Sequence, residues 1–245
     1  MIEHRPVTAT LFDFAGTLFD DRDLRDVHLQ QLRFVAGAAG ITGASDDQLR
    51  DAYRRGMGVG YRAVATKPSY QHRTLFAAAF SAMAGALGGR IDEAAAQEAV
   101  DRQYRATIDH ATLRPDCLAT LAALRASSIH VGIVSNIDDE QFEPMLDRLG
   151  LREVIDTATS SESAGSCKPD PAIYRFALSK AGVDAREALF VGDSLGHDVA
   201  GPARVGMRAA WLAPRLDADR GDARPDAVIT TLAEVLDLVG LGARR

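Results

Sequence analysis

Acidic, basic and polar side chains follow short apolar runs that are spread over most of the chain. Asp13, Asp193 and the pair Ser135 and Asn136 come directly after such runs, and Lys168 lies in a polar loop after another. A short apolar run of this kind predicts a buried strand. Because parallel strands bring their carboxyl ends to one edge of a sheet, we expect these five side chains to meet there.

These residue types suit the transfer of a phosphoryl group. The carboxylate of Asp13 can attack phosphorus as a nucleophile. The Ser135 hydroxyl and the Asn136 amide can hold phosphoryl oxygens, and Lys168 can offset their charge. A second carboxylate, Asp193, can share Mg²⁺ with Asp13 and so reduce the repulsion between Asp13 and an anionic substrate. The residues therefore predict Mg²⁺-dependent hydrolysis of a small phosphorylated molecule.

Four sequence motifs in order strengthen this prediction. The run D-F-A-G-T-L-F, which starts at Asp13, resembles the first motif of the haloacid dehalogenase-like (HAD) hydrolase superfamily. The runs V-S-N at 134–136, K-P-D-P from Lys168 and V-G-D-S-L-G-H-D at 191–198 resemble its second, third and fourth motifs. The resemblance implies that Asp13, Asp193 and the backbone carbonyl of Ala15 bind Mg²⁺. It also implies that Asp198 acts behind these ligands or through a water molecule.

Ala15 departs from the pattern of most phosphatases in this superfamily. They have a second aspartate at this position, which protonates the leaving oxygen and later activates water. General acid–base catalysis of this kind contributes about 10²–10⁴ in rate. An alanine methyl group cannot transfer a proton, so the sequence requires either another proton donor or a leaving group that needs none.

Three reactions satisfy this requirement. The first is hydrolysis of a phosphate whose leaving group is acidic, such as an acyl phosphate or the phosphate of an acidic alcohol. Alternatively, water or a residue of the insert (His72, Tyr70 or Arg73) takes over the proton transfer. The second is phosphonate cleavage, because phosphonoacetaldehyde hydrolases carry D-x-A-G-T and use a cap lysine. Lys67 is the only lysine between residues 20 and 112, but it lies further from Met57-Gly58 than that family's pattern requires.

The third reaction is 2-haloacid dehalogenation, since halide leaves without a proton. Dehalogenases of this superfamily need no metal and tend to lose the first acid of the fourth motif, so the retained Asp193 favours a metal site. A non-catalytic binding module of the same fold is a further alternative. The acids Asp13 and Asp193 and the amine of Lys168 argue against it, because a buried charged cluster is costly unless it is used.

The pattern of elements predicts how these residues are positioned. Strand and helix patterns alternate in residues 1–19 and 113–245, which predicts an α/β fold with a Rossmann-like parallel sheet covered on both faces. Residues 20–112 show only helical spacing and predict an inserted all-helical domain, at the cap position of HAD enzymes. Within this insert, the glycine cluster at 56–60 predicts a bend or loop.

Composition restricts the partners. A net charge of −6 argues against a nucleic-acid partner. No apolar run reaches the length of about 18 residues that a membrane span needs. Two cysteines far apart in sequence indicate free thiols, and the first strand starts too early to leave room for a signal peptide. We therefore expect a cytoplasmic enzyme with a small-molecule substrate. The sequence does not indicate the oligomeric state.

Overall fold

A computed structural model describes residues 6–20, 24–64, 67–216, 218–219 and 221–242. The chain divides into two compact units. One comprises Met1–Asp20 and Thr112–Arg245, and the other comprises Asp21–Ala111. Across the described part of the chain, no helix combines the length and the apolar character needed to cross a bilayer.

The unit Asp21–Ala111 is helical. Its described residues form the helices α1 (Arg25–Ala38), α2 (Asp46–Val64), α3 (His72–Ala86) and α4 (Glu93–His110). A capping box begins α2: the Ser45 N–H donates to Gln48 Oε1 at 2.8 Å, and the Gln48 N–H donates to Ser45 Oγ at 3.3 Å. Apolar side chains from all four helices form one core cluster.

The glycine cluster of this unit lies inside α2, so the predicted bend is wrong. A Cβ atom at Gly56 would lie 2.3 Å from the carbonyl oxygen of Ala79, and one at Gly60 would lie 3.0 Å from that of Leu75. These two glycines are four residues apart and therefore share one face of α2. They allow the backbones of α2 and α3 to approach more closely than any larger residue would permit.

The other unit is built on a six-stranded parallel sheet. Its strands are β1 (Ala9–Phe12), β2 (His130–Ser135), β3 (Thr157–Ser160), β4 (Ala188–Gly192), β5 (Arg208–Leu212) and β6 (Ala227–Ile229), in the spatial order β3-β2-β1-β4-β5-β6. The predicted α/β fold is confirmed. Because β1 pairs with β2 on one side and β4 on the other, the chain order reverses at β1, and ligands bind at such a reversal in open parallel sheets.

Helices on this sheet unit are α5 (Cys117–Ala126), α6 (Asp139–Arg148), α7 (Ser161–Ala164), α8 (Pro171–Ala181), α9 (Gly201–Ala203) and α10 (Val235–Leu238). Asp170 caps α8 by accepting the N–H of Ala172, and Pro171 occupies the first turn. Between β4 and α9, Leu195–Ala200 forms a π-helix, a form that often occurs at functional sites.

Candidate active site

Asp13 lies buried at the carboxyl end of the central strand β1. Its backbone N–H donates to the carbonyl of Val191 at 2.9 Å, which extends the pairing of β1 with β4 by one residue. The Thr17 hydroxyl donates to Asp13 Oδ2 at 3.0 Å. The turn between them contains Gly16 with a φ of +85°, a conformation that favours glycine. The turn thus orients the carboxylate from which nucleophilic attack was predicted.

Lys168 places a buried amine between two carboxylates. Its Nζ lies 2.5 Å from Asp13 Oδ1 and 2.8 Å from Asp198 Oδ1, and all three residues are less than 10% exposed. Burial alone lowers the pKa of Lys168, but the charges of Asp13 and Asp198 outweigh it and raise that pKa above its ordinary value. The amine therefore remains a cation throughout the neutral range.

Asn136 fixes the backbone that carries this amine. Its side-chain amide donates to the carbonyl of Lys168 at 2.9 Å and its Oδ1 accepts the N–H of Lys168 at 2.6 Å. Both amide atoms are thus engaged with one residue 32 positions further along the chain. Ser135 ends β2 and is 3% exposed. These contacts position the backbone of Lys168. The binding of phosphoryl oxygens by Ser135 and Asn136 stays a prediction.

Asp198 is held in the π-helix by the backbone around it. Its Oδ2 accepts the N–H of Ser194 at 2.9 Å, while its Oδ1 accepts from Lys168. A Cβ atom at Gly192 would lie 2.3 Å from its Cγ, so the close approach of this carboxylate to β4 requires glycine. Burial raises the pKa of Asp198, and the Lys168 cation opposes that rise. Asp198 therefore joins the Lys168 amine to the backbone at the start of the π-helix.

Asp193 completes the acidic group from the loop after β4. The residue as a whole is exposed, but its carboxylate packs against the turn: a Cβ atom at Gly16 would lie 2.5 Å from Asp193 Oδ2. Loss of hydration, followed by the negative charge of Asp13, raises the pKa of Asp193 to about 6. Because a raised pKa means that the ionised carboxylate is disfavoured, a neighbouring cation would stabilise that ionised form.

These three acids form a candidate metal centre. Asp13, Asp193 and Asp198 each offer a carboxylate oxygen, and the three oxygens lie within 4.8 Å of one another. Because every donor is an oxygen and the group carries excess negative charge beside Lys168, the site fits a hard cation such as Mg²⁺. Ala15 is exposed in the turn beyond Asp13, with its methyl group where a proton donor was expected from the motif.

Two residues that hold this centre escaped prediction. The indole N–H of Trp211, on β5, donates to the backbone carbonyl of Asp193 at 2.8 Å. The guanidinium group of Arg114 donates to the carbonyls of Gly16 and Thr17. Nothing in the local sequence indicates the contact of Trp211. The end of the helical pattern near residue 112 marks the segment of Arg114 but not its partners.

The predicted residues of the insert lie in the helical unit. Lys67 is exposed, in the segment between α2 and α3. The rings of Tyr70 and His72 lie 4.9 Å apart. Arg73 forms an ion pair with Asp101 at 2.7 Å, so its charge already has a partner inside this unit. None of these contacts assigns a proton donor.

The structure combines a parallel sheet, in which the order of strands along the chain reverses at β1, with a buried carboxylate–lysine pair at that point. This combination of fold and site defines the class of protein. The chain belongs to the haloacid dehalogenase-like hydrolase family, whose model matches residues 7–206. The resemblance drawn from the four motifs is thereby confirmed at the level of the superfamily, whereas the phosphonatase-like reading of the first motif stays a prediction.

Individual relatives carry more specific names. The chain is 30% identical over 147 residues to a ribulose-1,5-bisphosphate 5-phosphatase of Halopiger xanaduensis, an alignment that covers 57% of this chain and 62% of that protein. It is 29% identical to a phosphoserine phosphatase of Thermus thermophilus over 92% of this chain and 96% of that one.

A solved structure resembles nearly the whole chain. The structure of a 2-haloacid dehalogenase from Pseudomonas syringae pv. Tomato has a TM-score of 0.68 and 26% identity, and the match covers 96% of this chain and 98% of that one. Against the first curated relatives, however, the chain spans only between 49% and 63% of their length. These likenesses place the chain in the family without defining its substrate.

Proposed function

We propose that the protein is a Mg²⁺-dependent phosphatase that acts on a small phosphorylated metabolite through an aspartyl-phosphate intermediate. The observation that carries the proposal is the buried Lys168 amine between Asp13 and Asp198, with Asp193 beside them. A cation next to a nucleophilic carboxylate suits an anionic substrate. The names of the phosphatase relatives support the same reaction.

The proposed chemistry has two displacements at phosphorus. An oxygen of Asp13 attacks phosphorus while the bond to the leaving oxygen breaks, which forms the aspartyl-phosphate. Water then attacks that phosphorus, the bond to Asp13 breaks, and inorganic phosphate leaves. Lys168 stays protonated in both steps and stabilises charge on the phosphoryl oxygens. Mg²⁺, held by Asp13, Asp193 and the carbonyl of Ala15, would supply further positive charge beside those oxygens.

The exposed methyl group of Ala15 narrows the class of substrate. Without an acid at this position, the departing oxygen leaves as an anion or takes its proton from water. The proposed substrates are therefore phosphates with an acidic leaving group, such as acyl phosphates or phosphates of acidic alcohols. We further propose that the helical unit Asp21–Ala111 is the cap that selects among them, and that the enzyme works in the cytoplasm.

A second candidate is 2-haloacid dehalogenation, which Ala15 also favours because a halide ion needs no proton. The likeness to the Pseudomonas syringae dehalogenase supports it. The acidic pair of Asp13 and Asp193 favours the phosphatase, since an anionic acid beside the nucleophile serves little purpose without a metal ion. Phosphonate cleavage is less favoured, because Lys67 is exposed to solvent.

A series of aryl phosphates with leaving groups of different pKa tests the proposal. For the wild type, we expect kcat/KM to fall steeply as the pKa of the leaving phenol rises. The Ala15→Asp variant restores a proton donor, so we expect about a 10²-fold gain or more on the least acidic leaving groups and little gain on the most acidic ones. An equally shallow dependence in both proteins would contradict the assigned role of Ala15.

The same assays separate the candidate reactions. Phosphate release that stops when a chelator removes Mg²⁺ supports the phosphatase. Release of halide from 2-haloacids that continues in the chelator, with no phosphate release from any ester or acyl phosphate, would support the dehalogenase instead. The Asp13→Asn variant is the control for both, since it retains the size of the side chain but removes the nucleophilic charge.

A further inference from the structure

We propose that Arg114 is a positioning residue that fixes the separation of Asp13 and Asp193. This inference rests on the proposed metal site. Arg114 contacts neither acid through a hydrogen bond of its own. It acts through the turn Gly16–Thr17, which lies between them.

Arg114 holds this turn with a planar set of donors. Its Nε donates to the carbonyl of Thr17 at 2.9 Å and its Nη2 to the carbonyl of Gly16 at 2.8 Å. Its backbone N–H donates to the carbonyl of Leu18 at 2.8 Å. One residue, almost a hundred positions further along the chain, therefore satisfies three consecutive carbonyls of the turn.

Each of the two residues held by the guanidinium group contacts a different acid. The Thr17 hydroxyl donates to Asp13 Oδ2 at 3.0 Å. Gly16 lies so close to the carboxylate of Asp193 that a Cβ atom at this position would be only 2.5 Å from Asp193 Oδ2. Any shift of the turn therefore changes the distance between the acids that would share Mg²⁺. By fixing both carbonyls, Arg114 fixes this distance.

The surroundings of Arg114 make arginine the suitable residue. Its side chain is 24% exposed and its Nη2 lies 4.0 Å from Asp20 Oδ2. The adjoining residues Phe19 and Leu113 form an antiparallel bridge. Because the guanidinium group presents two parallel donors in a rigid plane, it can hold two carbonyls at once, which the single ammonium of lysine does less well.

Trp211 provides a direct way to observe the metal site. It is the only tryptophan in the chain, and its indole N–H donates to the backbone carbonyl of Asp193 at 2.8 Å. Binding of Mg²⁺ to the Asp193 carboxylate should therefore change the fluorescence of this indole. The signal reports metal binding without any substrate or turnover.

The test is titration of the whole protein with Mg²⁺, followed by Trp211 fluorescence and by calorimetry. Arg114→Lys keeps the charge and Arg114→Gln keeps one donor group, and we expect each to weaken the Kd for Mg²⁺ about 10-fold to 100-fold. The control is Arg125→Lys, because the Arg125 guanidinium group also donates to a backbone carbonyl, that of Glu153 at 2.7 Å. Its second partner is Asp156 Oδ1 at 2.9 Å, which is none of the three acids of the site. The control should keep the wild-type Kd within about 2-fold.

The outcomes separate this inference from the proposed function. Circular dichroism first establishes that each variant is folded at the titration temperature. If the wild type binds Mg²⁺ and both folded Arg114 variants bind it with the wild-type Kd, the positioning role is refuted while the metal site stands. If the wild type shows no Mg²⁺ binding by either method, the metal site and the inference both fail.

Discussion

Replacing Lys168 by methionine tests the charge balance of the centre most directly. The change keeps an unbranched side chain of similar length but removes the cation between Asp13 and Asp198. We expect the free energy of unfolding to fall by about 3–5 kcal/mol at pH 7.5 without Mg²⁺, because removing one partner of a buried ion pair leaves uncompensated charge. We also expect phosphatase turnover to be lost.

The distances in the site set this magnitude. At 2.5 and 2.8 Å, with an effective dielectric constant of about 20, the two lysine–carboxylate attractions amount to about 7 and about 6 kcal/mol. Removing Lys168 also removes its own cost of burial, which offsets much of that loss. The remaining penalty is the burial of two like charges that face each other.

The destabilisation should depend on pH in a defined direction. Burial already raises the pKa of Asp198, and losing the cation raises it further above its value in the unfolded chain. An acid with a raised pKa in the folded state destabilises the fold fully above that pKa, and the penalty declines as the pH falls from it toward the lower pKa of the unfolded chain. The difference between Lys168→Met and the wild type should therefore shrink between pH 8 and pH 5.

Urea unfolding followed by tryptophan fluorescence measures this difference. Trp211 lies in the same unit as Lys168, so its signal reports the unit that contains the site. Lys180→Met is the matched control: Lys180 is exposed and donates to the carbonyl of Ala158, and its loss should cost less than about 1 kcal/mol. A loss below about 1 kcal/mol for Lys168→Met, or one that does not change with pH, would refute the reasoning.

Three further predictions follow from the same geometry. Because the pKa of Asp193 is raised to about 6, proton and Mg²⁺ compete for it, and titration calorimetry should find the Kd for Mg²⁺ about 10-fold weaker at pH 5 than at pH 7.5. Gly192→Ala should lower stability to urea by about 1–3 kcal/mol, since its Cβ would meet the Asp198 carboxylate, whereas Gly196→Ala, with open space around it, should have little effect. Asn136→Ala removes both hydrogen bonds to the backbone of Lys168 and should lower kcat, while fluorescence titration should show an affinity for Mg²⁺ within about 3-fold of the wild type. An unchanged kcat would contradict the role of Asn136 in positioning Lys168.

The sequence predicted that Asp13, Lys168 and Asp193 lie close together because their signals are local. An apolar run that ends in Asp13, or one that runs into Asp193, predicts both a buried strand and a side chain at its carboxyl end. The direction of parallel strands then brings these ends together without any knowledge of packing. The same reasoning predicted the α/β fold, which depends only on the alternation of strand and helix patterns.

The local sequence does not indicate contacts that a residue makes with a distant segment. The cluster around Gly56 predicts a bend when the chain is read alone, yet glycine there serves the contact of α2 with the backbone at Ala79. The position of Asn136 after β2 predicts a contact with a phosphoryl group, which stays a prediction, but it does not indicate that the amide binds the backbone of Lys168. In both cases the partner lies more than twenty residues away.

What the sequence determined by itself is therefore the set of charged groups and the sheet edge at which they meet. Only the tertiary structure decided how these groups are held: Lys168 between two acids, and the turn at Gly16 bound by an arginine that follows the helical segment in sequence. The physical reason is that strand direction follows from short-range pattern, whereas hydrogen-bond partners are selected by distances of about 3 Å between segments that only the folded chain brings together.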